Sequence, residues 1–330
     1  MKLGISLPVF TADVSRPLGM AARCAGLGVH GVFSPDHLFP PVFYPPSGPD
    51  RPALESFTLL AAVAARHPTL AVGTLVSRVT LRPAGLLAKQ GAALDAMSGG
   101  RAILAVGSGD RASLLEHETY GIALPPTVAD RLRLLDESVA AMRSLFEGRA
   151  WPGGDQVPAL SGPLAPVGAP ELWVGGRSDA VLAIAARSAD AWNGWGQDPD
   201  AFAASVERLH VLADGRDVAP TWGGIALVGE DRADLQRLLA ERDERGLSRE
   251  GLWTGTAAEL RAFADRLEDA GAAWCIVLPV GPTDRLELIA GTLRPCPAVN
   301  SSGRRSGSAR RCSRAGTPSR RRNGRDSAPS

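Results

Sequence analysis

The sequence has little of several features that define other protein classes. It has four cysteines among 330 residues, and their spacing fits neither a zinc site nor a disulfide framework. No window reaches the roughly 18 consecutive apolar residues of a membrane span, and the N-terminal apolar run is too short for a signal peptide. We therefore expect a soluble, cytoplasmic protein with no metal site and no membrane partner.

A basic surface is also missing from most of the chain. The last 36 residues carry nine arginines and one aspartate, a formal charge of +8, which leaves 27 basic and 34 acidic residues before them. The main part of the chain is therefore mildly acidic, and we do not expect nucleic acid as its partner.

The composition changes at residue 295. Residues 295–330 are rich in arginine and serine and nearly devoid of apolar side chains, so they cannot bury enough surface to offset the entropy of ordering. We predict a barrel domain over residues 1–294 and a disordered tail over residues 295–330. The tail is either a nucleic-acid-binding arm or a read-through segment without function.

Short apolar runs alternate with longer amphipathic ones along the rest of the chain. The predicted strands cover residues 3–7, 31–34, 70–76, 102–106, 172–174, 189–193, 224–228 and 274–278. Eight strands that alternate with helices predict an α/β fold of the (β/α)₈ TIM-barrel type. A doubly wound sheet is the alternative, but no Gly-x-Gly-x-x-Gly follows the first strand.

Long connections interrupt this alternation. Residues 35–53 and 107–129 follow predicted strands and would contribute to a ligand site in a barrel. Residues 244–255 are predicted to be a third long loop, and residues 152–170 an extended insertion before the fifth strand. Asp130 is predicted to start a helix.

A strand that ends in two glycines points to a bound phosphate. Gly175 and Gly176 follow an apolar run, and a helix is predicted to open at Ser178. The amide groups and the partial positive charge at a helix N-terminus favour an anion, and Arg177 would add a full charge. The alternative is a tight turn between strand and helix.

Several segments, in their expected order, resemble the luciferase-like family of flavin and deazaflavin oxidoreductases. They cover residues 28–38, 86–90, 94–101, 107–109, 116–122, 172–182 and 189–193. The resemblance implies a TIM barrel, a homodimer and hydride chemistry on FMN or the deazaflavin coenzyme F420. The long third-helix segment, together with residues 74–77 before it, most resembles the F420-dependent members.

The same resemblance assigns roles to polar residues after two predicted strands. His37 would be an acid or base during hydride transfer, and Asp36 would contact the coenzyme ring. Asp110 stands where relatives carry a glutamate proton donor, so its carboxylate is one methylene shorter. The alternatives are a surface histidine, a capping Asp36 and a solvated Asp110. Glu116 and Glu118 would either replace Asp110 or cap a helix.

The resemblance also implies a coenzyme site. Thr74 and Leu75 match a bulge of the third strand that holds a non-prolyl cis peptide behind the coenzyme ring, and Gly107 would lie beside the ring. The phosphate would be held by Gly175, Gly176, Arg177 and Ser178.

The loop after the second strand suggests the kind of substrate. Phe39, Phe43 and Tyr44 are predicted to line an apolar pocket, and no Trp follows the Asp-His pair as it does in relatives that use a sugar phosphate. We therefore predict hydride transfer between F420 and a small apolar substrate. The alternatives are an FMN-dependent monooxygenase, served by a flavin or F420 reductase, and a non-catalytic flavin-binding paralogue.

Overall fold

The computed structural model describes residues 1–41, 46–110, 113–165 and 168–293. The predicted tail and the pocket residues Phe43 and Tyr44 lie outside this described part. The strands are β1 (Lys2–Ser6), β2 (Gly31–Ser34), β3 (Ala71–Arg78), β4 (Ala102–Gly107), β5 (Glu171–Gly175), β6 (Ala191–Trp195), β7 (Ala219–Gly229), β8 (Leu252–Thr256) and β9 (Trp274–Pro279).

The helices follow the expected amphipathic runs, with local differences at their ends. They are α1 (Ser15–Gly26), α2 (Ser56–Arg66), α3 (Ala84–Ser98), α4 (Leu114–Thr119), α5 (Val128–Phe146), α6 (Asp179–Ser188), α7 (Pro199–Ala213), α8 (Arg232–Glu244), α9 (Ala257–Asp269) and α10 (Arg285–Leu293). The prediction that Asp130 opens a helix was wrong, because Thr127 caps α5 and accepts a hydrogen bond from the Asp130 amide.

Eight of the nine strands that the structure describes form a closed parallel barrel. β1 to β7 pair in sequential order, and β9 pairs with both β7 and β1, which closes the ring. Helices separate successive barrel strands, so the predicted (β/α)₈ fold is confirmed. In such a barrel, ligands bind at the carboxyl ends of the strands.

The strand β8 corrects the prediction of a loop over residues 244–255. It pairs with the second half of β7, whose 11 residues pair with β6 along their first half. Most residues of β8 are half-exposed or exposed, so the segment lacks the alternation that identifies a strand in sequence. The chain therefore needs its ninth strand, and not the eighth, to close the barrel.

Aromatic rings fill the inside of the barrel. The ring centroid of Phe33 lies 5.6 Å from that of Trp274 and 5.8 Å from that of Trp173, and the two tryptophan rings lie 5.9 Å apart. Gly4 and Gly73 make this possible, because a Cβ added at either position would come within 2.6 or 2.8 Å of the Phe33 ring. A second apolar layer lies between the strands and the helices. The barrel has a packed core, so a ligand must bind at its mouth.

The insertion before β5 is anchored on the outside of the barrel. Trp151 and Leu160 pair as an antiparallel bridge, and the Glu137 carboxylate accepts hydrogen bonds from three successive amides of the insertion. Within the described ranges, no helix is both long and apolar enough to cross a membrane.

Candidate functional site

The loop after β2 carries Asp36 into the barrel mouth, where it is buried. Its carboxylate accepts a hydrogen bond from the Arg78 amide at the end of β3 (3.3 Å) and an ion-pair contact from Arg82. Asp36 thus ties the ends of β2 and β3 together. Its predicted contact with a coenzyme ring stays a prediction.

His37 lies next to Asp36 and reaches the protein surface. Its side chain is 19% exposed, and its Nδ1 is 3.0 Å from Oε2 of Glu116. The half-buried Phe10 ring flanks the imidazole with its centroid 6.0 Å away. The structure therefore presents a partly accessible imidazole that contacts a carboxylate.

Glu116 belongs to the short helix α4 and is almost completely buried. Arg78 donates to both of its oxygens, at 2.8 and 3.0 Å, and the Leu38 amide donates to Oε1 at 2.5 Å. Burial alone would raise the pKa of the Glu116 carboxyl, but hydrogen bonds from His37 and Arg78 outweigh it and hold the pKa at about 2. Glu116 is therefore ionised at neutral pH.

The charges around His37 form one connected cluster. Arg82 joins Asp36 to Glu55, which caps α2, and Arg78 also donates to the Asp36 carbonyl at 2.6 Å. Three carboxylates and two guanidinium groups carry one net negative charge. This balance favours a cationic group of a ligand at the mouth.

A buried histidine, His117, anchors α4. His117 lies 3.3 Å from the Thr80 hydroxyl through Nε2 and 3.2 Å from the Ile122 carbonyl through Nδ1. Burial lowers its pKa. His117 therefore holds α4 against the segment after β3, which fixes Glu116 in place.

Asp110 directly follows Gly109, where an added Cβ would come within 3.7 Å of the Arg78 side chain. Asp110 is exposed, and its carboxylate accepts a hydrogen bond from the Ser113 hydroxyl at 3.2 Å, where the chain approaches α4. The residues between them lie outside the described part of the chain. The structure does not bring Asp110 into hydrogen-bonding contact with His37, and its role as a proton donor stays a prediction.

The turn after β5 has the predicted form. Ser178 caps α6 by accepting a hydrogen bond from the Val181 amide, and Gly176 has φ +145°, which excludes most side chains. The Gly176 amide donates to the Asn193 carbonyl at 3.1 Å. The part of the turn that can meet an anion is therefore the exposed run from Arg177 to Ala180, which includes the start of α6.

The predicted bulge of β3 is present. The pairing of β3 with β4 shifts register between Thr74 and Ser77, and the Leu75–Val76 peptide bond is cis. The Val76 side chain fills the space beside Gly107 and Gly175, where an added Cβ would come within 2.8 and 2.7 Å of it. These two glycines are therefore required by the bulge itself.

The side chains of the bulge face different partners. The Thr74 hydroxyl is buried and donates to the Ala105 carbonyl at 2.8 Å, and Leu75 packs inside the barrel. Phe39, predicted to line a substrate pocket, is buried with its ring stacked on Tyr120 at 6.4 Å. The predicted ligand contacts of these residues stay predictions.

The sequence analysis missed Arg78 and gave Glu116 only a secondary role. A signal for Arg78 was available, since an arginine directly after a buried apolar run needs a partner. Glu116 carries no comparable signal, because its burial depends on a helix of six residues that the sequence pattern does not reveal.

Comparisons with known proteins identify the family of this chain. A family model for luciferase-like monooxygenases matches residues 1–284. The chain belongs to this family. An uncharacterized protein from Mycobacterium tuberculosis is 30% identical over 213 residues, which cover 60% of this chain and 70% of that protein. The protein is thus an oxidoreductase of the luciferase-like class.

Solved structures support the luciferase-like fold. An F420-dependent secondary alcohol dehydrogenase, in complex with an F420-acetone adduct, matches with a TM-score of 0.71 and 17% identity, over 88% of this chain and 97% of that one. EDTA monooxygenase from Chelativorans sp. BNC1 also has a TM-score of 0.71, with 16% identity over 88% and 92% of the two chains. At these identities, the likeness concerns the fold alone.

Proposed function

We propose that this protein transfers a hydride between coenzyme F420 and a small, apolar alcohol or carbonyl substrate. The observation that carries the proposal is the partly accessible imidazole of His37, fixed by the buried Glu116 carboxylate at the carboxyl ends of the strands. The structural likeness to an F420-dependent alcohol dehydrogenase supports the same reaction class.

The residues at the barrel mouth fit a phosphorylated ring coenzyme. Arg177 and Ser178 stand at the exposed N-terminus of the ten-residue helix α6, which would hold the phosphate. Arg78 Nε is buried and has no hydrogen-bond partner among the described residues, so it leaves one donor available to a ligand. Thr74, Leu75 and Gly107 belong to the bulge region on which the ring would rest.

The bound coenzyme would supply or accept the hydride. His37 would hold or release the proton at the substrate oxygen, because its imidazole is partly accessible and contacts the buried Glu116 carboxylate. Phe10, whose ring lies beside His37, would provide apolar contact for the substrate. Asp110, on the exposed rim, is the second candidate for the proton.

The coenzyme choice is tested by titration of the purified full chain with F420 and with FMN, followed by fluorescence. We expect F420 to bind at least tenfold more tightly. Tighter binding of FMN would overturn the choice and favour a monooxygenase, whereas binding of neither would overturn the proposal.

The second candidate function is an FMN-dependent monooxygenase that receives reduced flavin from a separate reductase. The likeness to EDTA monooxygenase favours it. It predicts substrate-dependent oxygen consumption with reduced FMN, which the hydride-transfer proposal does not. A chain that binds coenzyme but turns over no substrate with either coenzyme would be the non-catalytic paralogue.

We also propose that two copies pair through the face formed by α2 and α3. An apolar groove there is lined by Phe57, Ala61, Leu94 and Met97, and the side chains of Leu86 and Met97 are about half exposed. Light scattering of the full chain should give twice the monomer mass of 34.4 kDa, and Met97→Glu should give the monomer.

A further inference from the structure

The carboxylate of Glu116 is shared between two different tasks. One is an ion pair with Arg78, which uses both carboxylate oxygens. The other is a pair of contacts with the loop after β2, through the His37 ring and the Leu38 amide. An ion pair alone would need only the contacts with Arg78, so the contacts of Glu116 with His37 and Leu38 require their own explanation.

We infer that Glu116 is a positioning residue, which fixes the tautomer and the orientation of His37 for proton transfer. The inference rests on the proposed function, since it assigns a role within the same site. It concerns a residue of α4, remote in sequence from the histidine that it would control.

The tautomer follows from hydrogen-bond chemistry. An ionised carboxylate only accepts hydrogen bonds, so the contact between His37 and Glu116 requires the proton on Nδ1. In the neutral ring, Nε2 is then the basic nitrogen. Any proton exchanged with a substrate oxygen would therefore pass through Nε2.

With Nε2 as the basic nitrogen, the proton and the electron pair of the proposed reaction are both accounted for. In alcohol oxidation, Nε2 of His37 would accept the proton of the breaking O–H bond, and a bound oxidised deazaflavin would supply the acceptor for the hydride from the breaking C–H bond. The C=O bond forms at the same time. Carbonyl reduction is the reverse, with Nε2–H as the proton donor.

The orientation follows from how firmly the carboxylate is held. Arg78 fixes both oxygens, and its own guanidinium donates to the Asp36 carbonyl at 2.6 Å. The Leu38 amide bonds to the same carboxylate that contacts the His37 ring, so the backbone and side chain of the loop are held by one group. Such support places a reacting group within a narrow range of angles.

Nitrogen NMR of the full chain with ¹⁵N-labelled histidine tests the tautomer directly, at a pH at which the ring is neutral. The chain has five histidines, and the signal that disappears in His37→Gln assigns the one in question. We expect the Nδ1–H form in the wild type and at least a threefold rise of the Nε2–H form in Glu116→Gln. A wild-type ring in the Nε2–H form, or an unchanged tautomer in the variant, would overturn the inference.

Glu118→Gln is the matched control, because it makes the same chemical change on an exposed residue of the same helix. It should leave the tautomer unchanged. Where Glu116→Gln does not fold, Glu116→Asp keeps the charge for Arg78 but withdraws the carboxylate by one methylene, and the same loss of Nδ1–H is expected.

Turnover provides a second readout. With F420 and a panel of secondary alcohols, Glu116→Gln should lower kcat at least tenfold with KM within twofold, and equal kcat in both proteins would count against the inference. Should F420 fail to bind, the proposed function fails, while the tautomer measurement still decides the role of Glu116.

Discussion

The two ends of the barrel use arginine in different ways. At the carboxyl end, Arg78 and Arg82 pair with carboxylates in a buried cluster that also contacts His37. At the amino end, Arg101 donates to the carbonyls of His67, Leu70 and Ala64, where α2 ends. The cluster of Arg78 and Arg82 concentrates charge beside the titratable His37, whereas Arg101 satisfies backbone carbonyls near the carboxyl end of α2.

The charged residues around a surface cavity at the amino end also have structural roles, unlike the cluster at the carboxyl end. The cavity of about 280 Å³ at the amino end is bordered by Lys2, Arg101, Glu171 and Trp274. Lys2 lies over the Trp274 ring, and Glu171 accepts a hydrogen bond from the Trp173 indole, so these charges have structural partners. A cavity by itself therefore does not identify the site, and buried ionised groups at the carboxyl ends of the strands are the better guide.

The largest expected effect comes from breaking the charged cluster. Glu116→Ala leaves the Arg78 guanidinium buried without its carboxylate, and the loss of one partner of a buried pair costs about 3–5 kcal/mol. Urea unfolding should show a drop of this size in the free energy of unfolding. Glu118→Ala, on the exposed side of α4, should change it by less than about 0.5 kcal/mol, and equal effects in the two variants would refute the role of the cluster.

Acid should weaken the same cluster. The pKa of Glu116 is about 2 in the folded protein, below its ordinary value of about 4.3. Its contribution to stability is complete above the ordinary pKa and is lost as the pH falls toward 2. The difference in unfolding free energy between the wild type and Glu116→Gln should therefore shrink between pH 5 and pH 3. A constant difference would contradict the low pKa.

The fold was largely predictable because its signals are local. Alternating apolar runs identify the barrel strands, and the resemblance to the family predicts the bulge of β3, which the structure has between Thr74 and Ser77. β8 was not predictable, because its partly exposed residues carry no apolar alternation and its only described pairing is to the second half of β7. Its position depends on the length of β7, which is a tertiary property.

The site was predictable only in part, because some of its contacts depend on tertiary packing and not on local sequence. Asp36 and His37 follow a strand directly, so the barrel topology places them at the mouth. The contact between Arg78 and Glu116 joins residues 38 positions apart in sequence, and it exists because α4 packs across the end of β3. No periodicity or motif encodes such a contact, so it becomes visible only in three dimensions.

A smaller effect is expected at the amino end. Arg101→Ala removes charge-assisted hydrogen bonds to backbone carbonyls beyond the end of α2, and we expect a loss of about 1–3 kcal/mol in the free energy of unfolding. Coenzyme affinity, measured by the fluorescence titration, should stay within twofold of the wild type. A larger change in affinity would show that the two ends are coupled and would weaken the contrast between them.

The smallest effect on stability, but a clear one on binding, is expected at the turn after β5. Arg177 is exposed and lies at the N-terminus of α6, so Arg177→Ala should change the free energy of unfolding by less than about 0.5 kcal/mol. Loss of its charge beside the coenzyme phosphate should weaken coenzyme binding about tenfold, or about 1.4 kcal/mol. Arg187→Ala removes an exposed arginine at the other end of α6, where it pairs with Asp136, and should leave affinity unchanged. Equal affinities for the two variants would show that the phosphate is held elsewhere, because only one of these arginines stands at the positive end of the helix dipole.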